Sequence, residues 1–116
     1  MKDQSRVYVI SRVITAPPSS TAKYEICRVP VARNLVIHRI LLHFPTGSNY
    51  TLSVTFFVGE EQILPDEGYF TGDDVLLEIP VAKTIPGNST LYARITNSDD
   101  TYDHRIEIII IGELVS

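Results

Sequence analysis

Three histidines, one cysteine and two clusters of aspartates are the residues with chemistry to offer in this chain. His38 and His43 lie five apart in one apolar stretch. On a strand, where successive side chains alternate between faces, they point to opposite sides and share a metal only if the strand carries a bulge. Cys27 has Arg28 as its one adjacent basic residue, facing the other way on a strand, which is the setting of a buried inert thiol rather than of a nucleophile. No Gly-x-Ser-x-Gly elbow and no glycine-rich phosphate loop occurs, so neither acyl transfer nor nucleotide chemistry has a marker, and no motif calls for a cofactor.

The acidic clusters are Asp66-Glu67 with Asp73-Asp74, and Asp99-Asp100 with Asp103. Oxygen-rich loops at the end of a β-sandwich can hold calcium, which takes about six to eight oxygen ligands, but the EF-hand spacing is absent. Aspartates that cap their own turns read equally as solvated loops. Sugar binding needs aromatic platforms; there is no tryptophan, and Tyr69-Phe70 is the best loop candidate among Tyr50, Tyr69, Phe70, Tyr92 and Tyr102. Tyr69, Phe70, Asp73, Asp74 and Tyr102 therefore form a possible ligand loop set, against the simpler reading of rim tyrosines with wet hydroxyls. Asn49-Tyr50-Thr51 and Asn88-Ser89-Thr90 fit the glycosylation triplet and read as turn residues.

The elements that must position these groups are short. The chain has 116 residues, 44% hydrophobic and 21% charged, with a net charge of −4. That is one domain's length and an ordinary globular composition, which sets aside disorder and a fibrous chain. Surface scaling allows about two-thirds of the unfolded surface to be buried. The scattered basic residues and acidic balance disfavour nucleic acid as the main partner. The longest apolar run, Ile108 to Ile111, is too short to cross a bilayer. Met1-Lys2-Asp3-Gln4-Ser5 has no apolar h-region, so synthesis in a cytoplasm without a signal peptide is expected.

Prolines and glycines fall between or at the ends of apolar stretches and cut the chain into strand-sized pieces. These run from Arg6 to Thr15, Lys23 to Val29, Asn34 to Phe44, Tyr50 to Val58, Gln62 to Leu64, Asp74 to Ile79, around Leu91, Ala93 and Ile95, and His104 to Leu114. Leu52, Val54, Phe56 and Val58 alternate with Thr51, Ser53 and Thr55, the period of a half-buried strand. No segment carries a helical period free of proline, glycine and β-branched clusters. The expectation is all-β: a single antiparallel β-sandwich, jelly-roll-like, with about eight strands. Ala16-Pro17-Pro18-Ser19-Ser20-Thr21 reads as an extended linker, dividing an N-terminal strand or arm (1–21) from the sandwich (22–116).

Three strands carry apolar residues on both faces. Tyr8, Ile10 and Ile14 oppose Val7, Val9 and Val13; Ile109 and Ile111 oppose Ile106, Ile108 and Ile110; and Leu35, Ile37 and Leu41 oppose Val36, Ile40, Leu42 and Phe44. Either loops and the N-terminal segment cover these strands, or they meet a partner. On the second reading Val7, Tyr8, Val9, Ile10, Val13, Ile14, Leu35, Ile37, Leu41, Ile109 and Ile111 are interface residues, and the arm adds a strand to a neighbouring copy.

From Ile40 onward the layout runs Ile-Leu-Leu-His-Phe-Pro-Thr-Gly, then Leu52 to Val58, Gln62-Ile63-Leu64-Pro65, Gly72-Asp73-Asp74, and Asn97 with His104-Arg105-Ile106. It resembles small jelly-roll or β-sandwich structural proteins of virions, such as capsid-decorating, penton-base-like or spike-base subunits. The resemblance covers about the last two-thirds of the chain and rests on the spacing of strands and turns. It implies a non-catalytic protein that self-associates, often as a trimer or pentamer, and docks on a larger assembly through its N-terminal arm, in the setting of a virion. No family binding residue maps onto a position here. A carbohydrate-binding module and a cupin-like small metalloenzyme are the alternatives from other classes.

Overall fold

Runs rich in valine, isoleucine and threonine, each closed by a proline, glycine or aspartate turn, become strands because a pleated, half-covered surface suits branched side chains. The computed structural model describes residues 6–115. Met1 to Ser5, on which the signal-peptide reading rests, lie outside the described residues. The strands are β1 (Arg6–Ala16), β2 (Ser20–Arg28), β3 (Asn34–Phe44), β4 (Leu52–Val58), β5 (Glu61–Leu64), β6 (Phe70–Thr71), β7 (Val75–Ile85), β8 (Thr90–Asn97) and β9 (His104–Val115). There is no helix among the described residues.

Two antiparallel sheets result, one ordered β1-β9-β3-β7 and the other β2-β8-β4-β5, with the two-residue β6 beside β4. The pairs β1 with β9, β2 with β8, β3 with β7 and β4 with β5 describe one long hairpin ribbon. Wrapping the ribbon brings β9 against β3 and β8 against β4, which is jelly-roll wiring. The inner faces bury Ile26, Leu35, Ile37, Ile40, Leu42, Phe44, Leu52, Phe56, Ile95 and Ile106 completely. The whole chain exposes 6419 Å².

The two-faced pattern of β3 has a specific cause. Against β9 the register steps from Ile37–Gly112 to Arg39–Ile111, so His38 is an extra residue there; against β7 the same step runs from Lys83 to Pro80, so on that side the extra residue lies in β7. The bulge turns Leu35 and Ile37 inward before it and Ile40, Leu42 and Phe44 inward after it. Leu35 and Ile37 are thus core residues and not the interface residues that strict alternation suggested. Ile14 is likewise buried, and Tyr8 and Ile10 pack half-buried against the core. Gly112 lies opposite Ile37 at the bulge; a β-carbon there would stand 2.2 Å from the Val36 carbonyl oxygen, so the close approach of the strands requires glycine.

Two boundaries differ from expectation. β7 continues through Pro80 to Ile85 because it is a sheet edge, where a missing N–H breaks no ladder. The proline segment is a three-residue corner rather than an extended linker: Ala16 ends β1 fully buried, Ser20 starts β2 in the opposite sheet, and Ser19 sits at φ 51° between them. β1 pairs along its whole length with β9 of its own chain, from Arg6 opposite Leu114 to Ala16 opposite His104. Cys27 is buried, and burial raises its thiol pKa, as it does that of the nearby Tyr8 hydroxyl.

The corner is tied down by the β8–β9 loop. Fully buried Asn97 donates through Nδ2 to the Ala16 and Tyr102 carbonyls, 3.0 Å each, and its Oδ1 accepts the Asp99 N–H. Asp99 Oδ1 accepts the N–H groups of Thr101 and Tyr102, and its Oδ2 lies 2.8 Å from His104 Nε2. The Ser19 N–H donates to the Asp99 carbonyl at 2.9 Å. The Thr101 N–H first, and then the His104 ring, hold the Asp99 carboxyl below the usual carboxylate range.

Leu35→Ala is expected to lower stability by about 2–5 kcal/mol in urea melts. Gly112→Ala is expected to cost about 1–3 kcal/mol through overpacking against Val36. Small losses in both would refute the bulged register. A depressed folded-state pKa means that Asp99 stabilises the fold above the unfolded carboxylate value of about 3.9 and that this contribution disappears as pH falls through the lower folded value. In melting curves from pH 7 downward, Asp99→Asn should therefore start less stable and lose less below about pH 4 than the parent; parallel curves would contradict the assignment.

Candidate functional site

The two sheets present very different outer faces. On the β2-β8-β4-β5 sheet the outward Phe57 is sealed: Lys23 Nζ lies 4.6 Å and the Arg94 guanidinium 4.8 Å from its ring centre. Lys23 also donates to the Gly59 carbonyl at 2.9 Å, and the Thr21 and Thr96 hydroxyls meet at 3.1 Å.

The β1-β9-β3-β7 sheet is open by comparison. Read in that strand order, the register aligns Val7, Glu113, Val36 and Thr84; then Val9, Ile111, Arg39 and Pro80; then Ser11, Ile109, Leu41 and Glu78; then Val13, Glu107, His43 and Leu76. An apolar strip through Val9, Ile111, Ile109 and Leu41 crosses the middle. Ile109, Ile111 and Leu41 are half-buried, while Val7, Val9 and Val13 are 80%, 58% and 55% exposed. One ion pair and two histidine–glutamate hydrogen bonds frame the strip. Arg39 Nη1 donates to Glu78 Oε2 at 2.6 Å, His38 Nε2 lies 2.8 Å from Glu113 Oε1, and His43 Nδ1 lies 3.0 Å from Glu107 Oε1. Such pairs contribute little stability where water reaches them, but they settle which partner charges the face accepts.

The bulge also overturns the parity of the histidines. His38 and His43 share this outer face, roughly 13 Å apart at about 3.3 Å per residue, each beside its own glutamate. Near His43 the face ends in a concavity of about 520 Å³ lined by Val13, His43, Pro45, Thr46, Asp103, His104, Arg105 and Glu107. Here the His43–Glu107 pair stands beside the His104 ring held by Asp99.

The ligand loop set does not converge. Phe70 packs against Phe56, ring centres 6.4 Å apart, and is half-buried. Asp73 Oδ1 accepts the N–H groups of Gly47 and Asn49, and Asp74 Oδ1 accepts the Thr46 hydroxyl, so both carboxylates brace the β3–β4 loop. Tyr69 and Tyr102 are exposed but stand on different loops, before β6 and before β9. Of the interface set, Val7, Val9, Val13, Leu41, Ile109 and Ile111 lie on the open face, while Leu35, Ile37 and Ile14 are interior. Sequence reasoning missed Leu76 and the framing charges. The run Val75-Leu76-Leu77 held a signal for Leu76, since its middle residue must face outward.

No protein-family model matches the sequence, and no curated protein matches it. Solved structures share the fold. FlhE matches with a TM-score of 0.54 at 10% identity, over 97% of this chain and 98% of that one. The cyanophage Pam1 capsid asymmetric unit matches at 0.52 with 12% identity, over 98% of this chain and 86% of that one. The infectious bursal disease virus Gx strain matches at 0.52 with 13% identity, over 97% of this chain and 33% of that one. At these identities the likeness is one of fold: the chain is an antiparallel β-sandwich similar to parts of virus particle structures and to FlhE.

Proposed function

We propose that this chain is a non-catalytic structural module that self-associates and docks on a larger protein assembly, in the setting of a viral capsid or virion. One observation carries the reading. A single outer face keeps an uncapped apolar strip framed by one ion pair and two histidine–glutamate hydrogen bonds, while the other face covers its aromatic with two cations. A non-obligate interface has this anatomy, an apolar centre with a charged rim. The likeness to the Pam1 capsid asymmetric unit supports the setting, because there the fold is part of a capsid, and the likeness to the bursal disease virus structure agrees with a virus setting. The carbohydrate reading has less support, since Asp73 holds backbone N–H groups, Asp74 holds the Thr46 hydroxyl and Phe70 packs on Phe56.

Light scattering on the intact protein tests this directly. At high micromolar concentration the solution mass should be a multiple of the 13.0 kDa chain. The double variant Ile109→Lys, Ile111→Lys should keep the parent circular dichroism spectrum and lose association through this face. A single-chain mass for the parent at every concentration would overturn the proposal.

A further inference from the structure

Four sheet edges are available to pair with another chain, and three are blunted. β7 carries Pro80 with Glu78 and Lys83. β2 is broken by a bulge between Glu25 and Cys27 and bears Lys23, Glu25 and Arg28. β5 is four residues long. These are the devices by which sheets refuse strand addition. β1 is long and unbroken: its eleven residues run without a bulge or proline, Arg12 is the one charge in its middle, and among the described residues only β9 pairs with it.

We infer that two copies join edge to edge through β1, making one continuous sheet of eight strands about a two-fold axis perpendicular to it. The partner is a second copy because this is the one edge-to-edge contact in which both edges are open. β1 against β7 would set a ladder against Pro80. The axis makes the strands antiparallel, and pairing β1 along its whole length centres the contact on Ser11, with Val9 opposite Val13 of the second copy. Val9 and Val13 both face outward, so the apolar strips of the two copies become continuous across the junction. In this register Arg12 falls opposite Ile10, whereas a shift centring the contact on Arg12 would oppose two like charges. Such a contact is self-complementary and closes at two copies, rather than at the trimer or pentamer that the virion resemblance implies.

This rests on the self-association reading and deepens it, and Ser11 separates the two. Ser11 is exposed at the border of the sheet, directly opposite Ile109 on the same outer face, so Ser11→Lys tests both contacts and the Ser11→Cys cross-link tells them apart. Light scattering should give the parent twice the chain mass of 13.0 kDa. Ser11→Lys, which opposes two lysines at the centre, should halve it and keep the parent circular dichroism spectrum. Leu76→Lys beside the β7 edge should leave it at two chains. Under mild oxidation Ser11→Cys should yield a disulfide-linked pair of chains. An oligomer that survives Ser11→Lys together with a Ser11→Cys protein that fails to cross-link would overturn the edge pairing and leave association through the outer face standing. A parent that stays a single chain at every concentration would overturn both.

Discussion

One extra residue in β3 decides which side chains of this molecule are inside. His38 has no counterpart on β9, and the pleat changes phase where it is inserted. Without that shift, Leu35 and Ile37 would face the core only if Ile40, Leu42 and Phe44 faced water. With it, all five are buried, and Leu41 and His43 form the middle of the outer face. Gly112 makes the shift possible, because the Val36 carbonyl occupies the space that any β-carbon there would need. The core and the candidate interface are therefore two results of the same local geometry.

The wrapped ribbon then distributes exposure unevenly. In the β1-β9-β3-β7 sheet, β9 lies between β1 and β3, so its inner isoleucines are covered while Ile109 and Ile111 rest on the outside beside Leu41. The opposite sheet carries Phe57 outward in a comparable position, and the methylene stems and charges of Lys23 and Arg94 close over it. On the other sheet Ile109 and Ile111 remain half-buried beside exposed Val9, and the charged groups of their face pair with each other at its borders. Exposed apolar area left uncapped on one face alone is better explained by a partner than by chance scatter.

Much of this was legible in the sequence, and the failures share a cause. Strand positions and the sandwich follow from alternations such as Leu52 to Val58, which depend on near neighbours. Even there Thr55, assigned to the wet face, is buried. The reading went wrong where a contact distant in sequence intervened. The β3 bulge depends on Gly112, more than seventy positions away, and it moved Leu35 and Ile37 inside and brought both histidines to one face. Pro80 ended a strand on paper because only topology reveals β7 as an edge. The Pro17-Pro18 corner resembled a tether because Asn97 and Asp99, which hold it, come eighty residues later. The aspartates of the ligand loop set resembled ligands because the backbone N–H groups that occupy Asp73 belong to another loop.

The fold alone does not select a function, since the same wrapped ribbon occurs in FlhE and in virus structures at 10–13% identity. What such chains share is a geometric solution: a long hairpin ribbon buries its apolar side by rolling up, and many sequences satisfy it. Their differences fall where rolling leaves freedom, on the outer faces, the edges and the end loops. In this chain the end loops are occupied internally, with Asn97, Asp99, Asp73 and Asp74 holding neighbouring backbone or hydroxyl groups. Three edges are blunted and one outer face is sealed. The surfaces left uncommitted, the β1 edge and the strip from Val9 to Leu41, adjoin each other on one side of the molecule. The polar loops are turned inward and the open edge adjoins the apolar strip, and these are the surfaces that the proposed association would use.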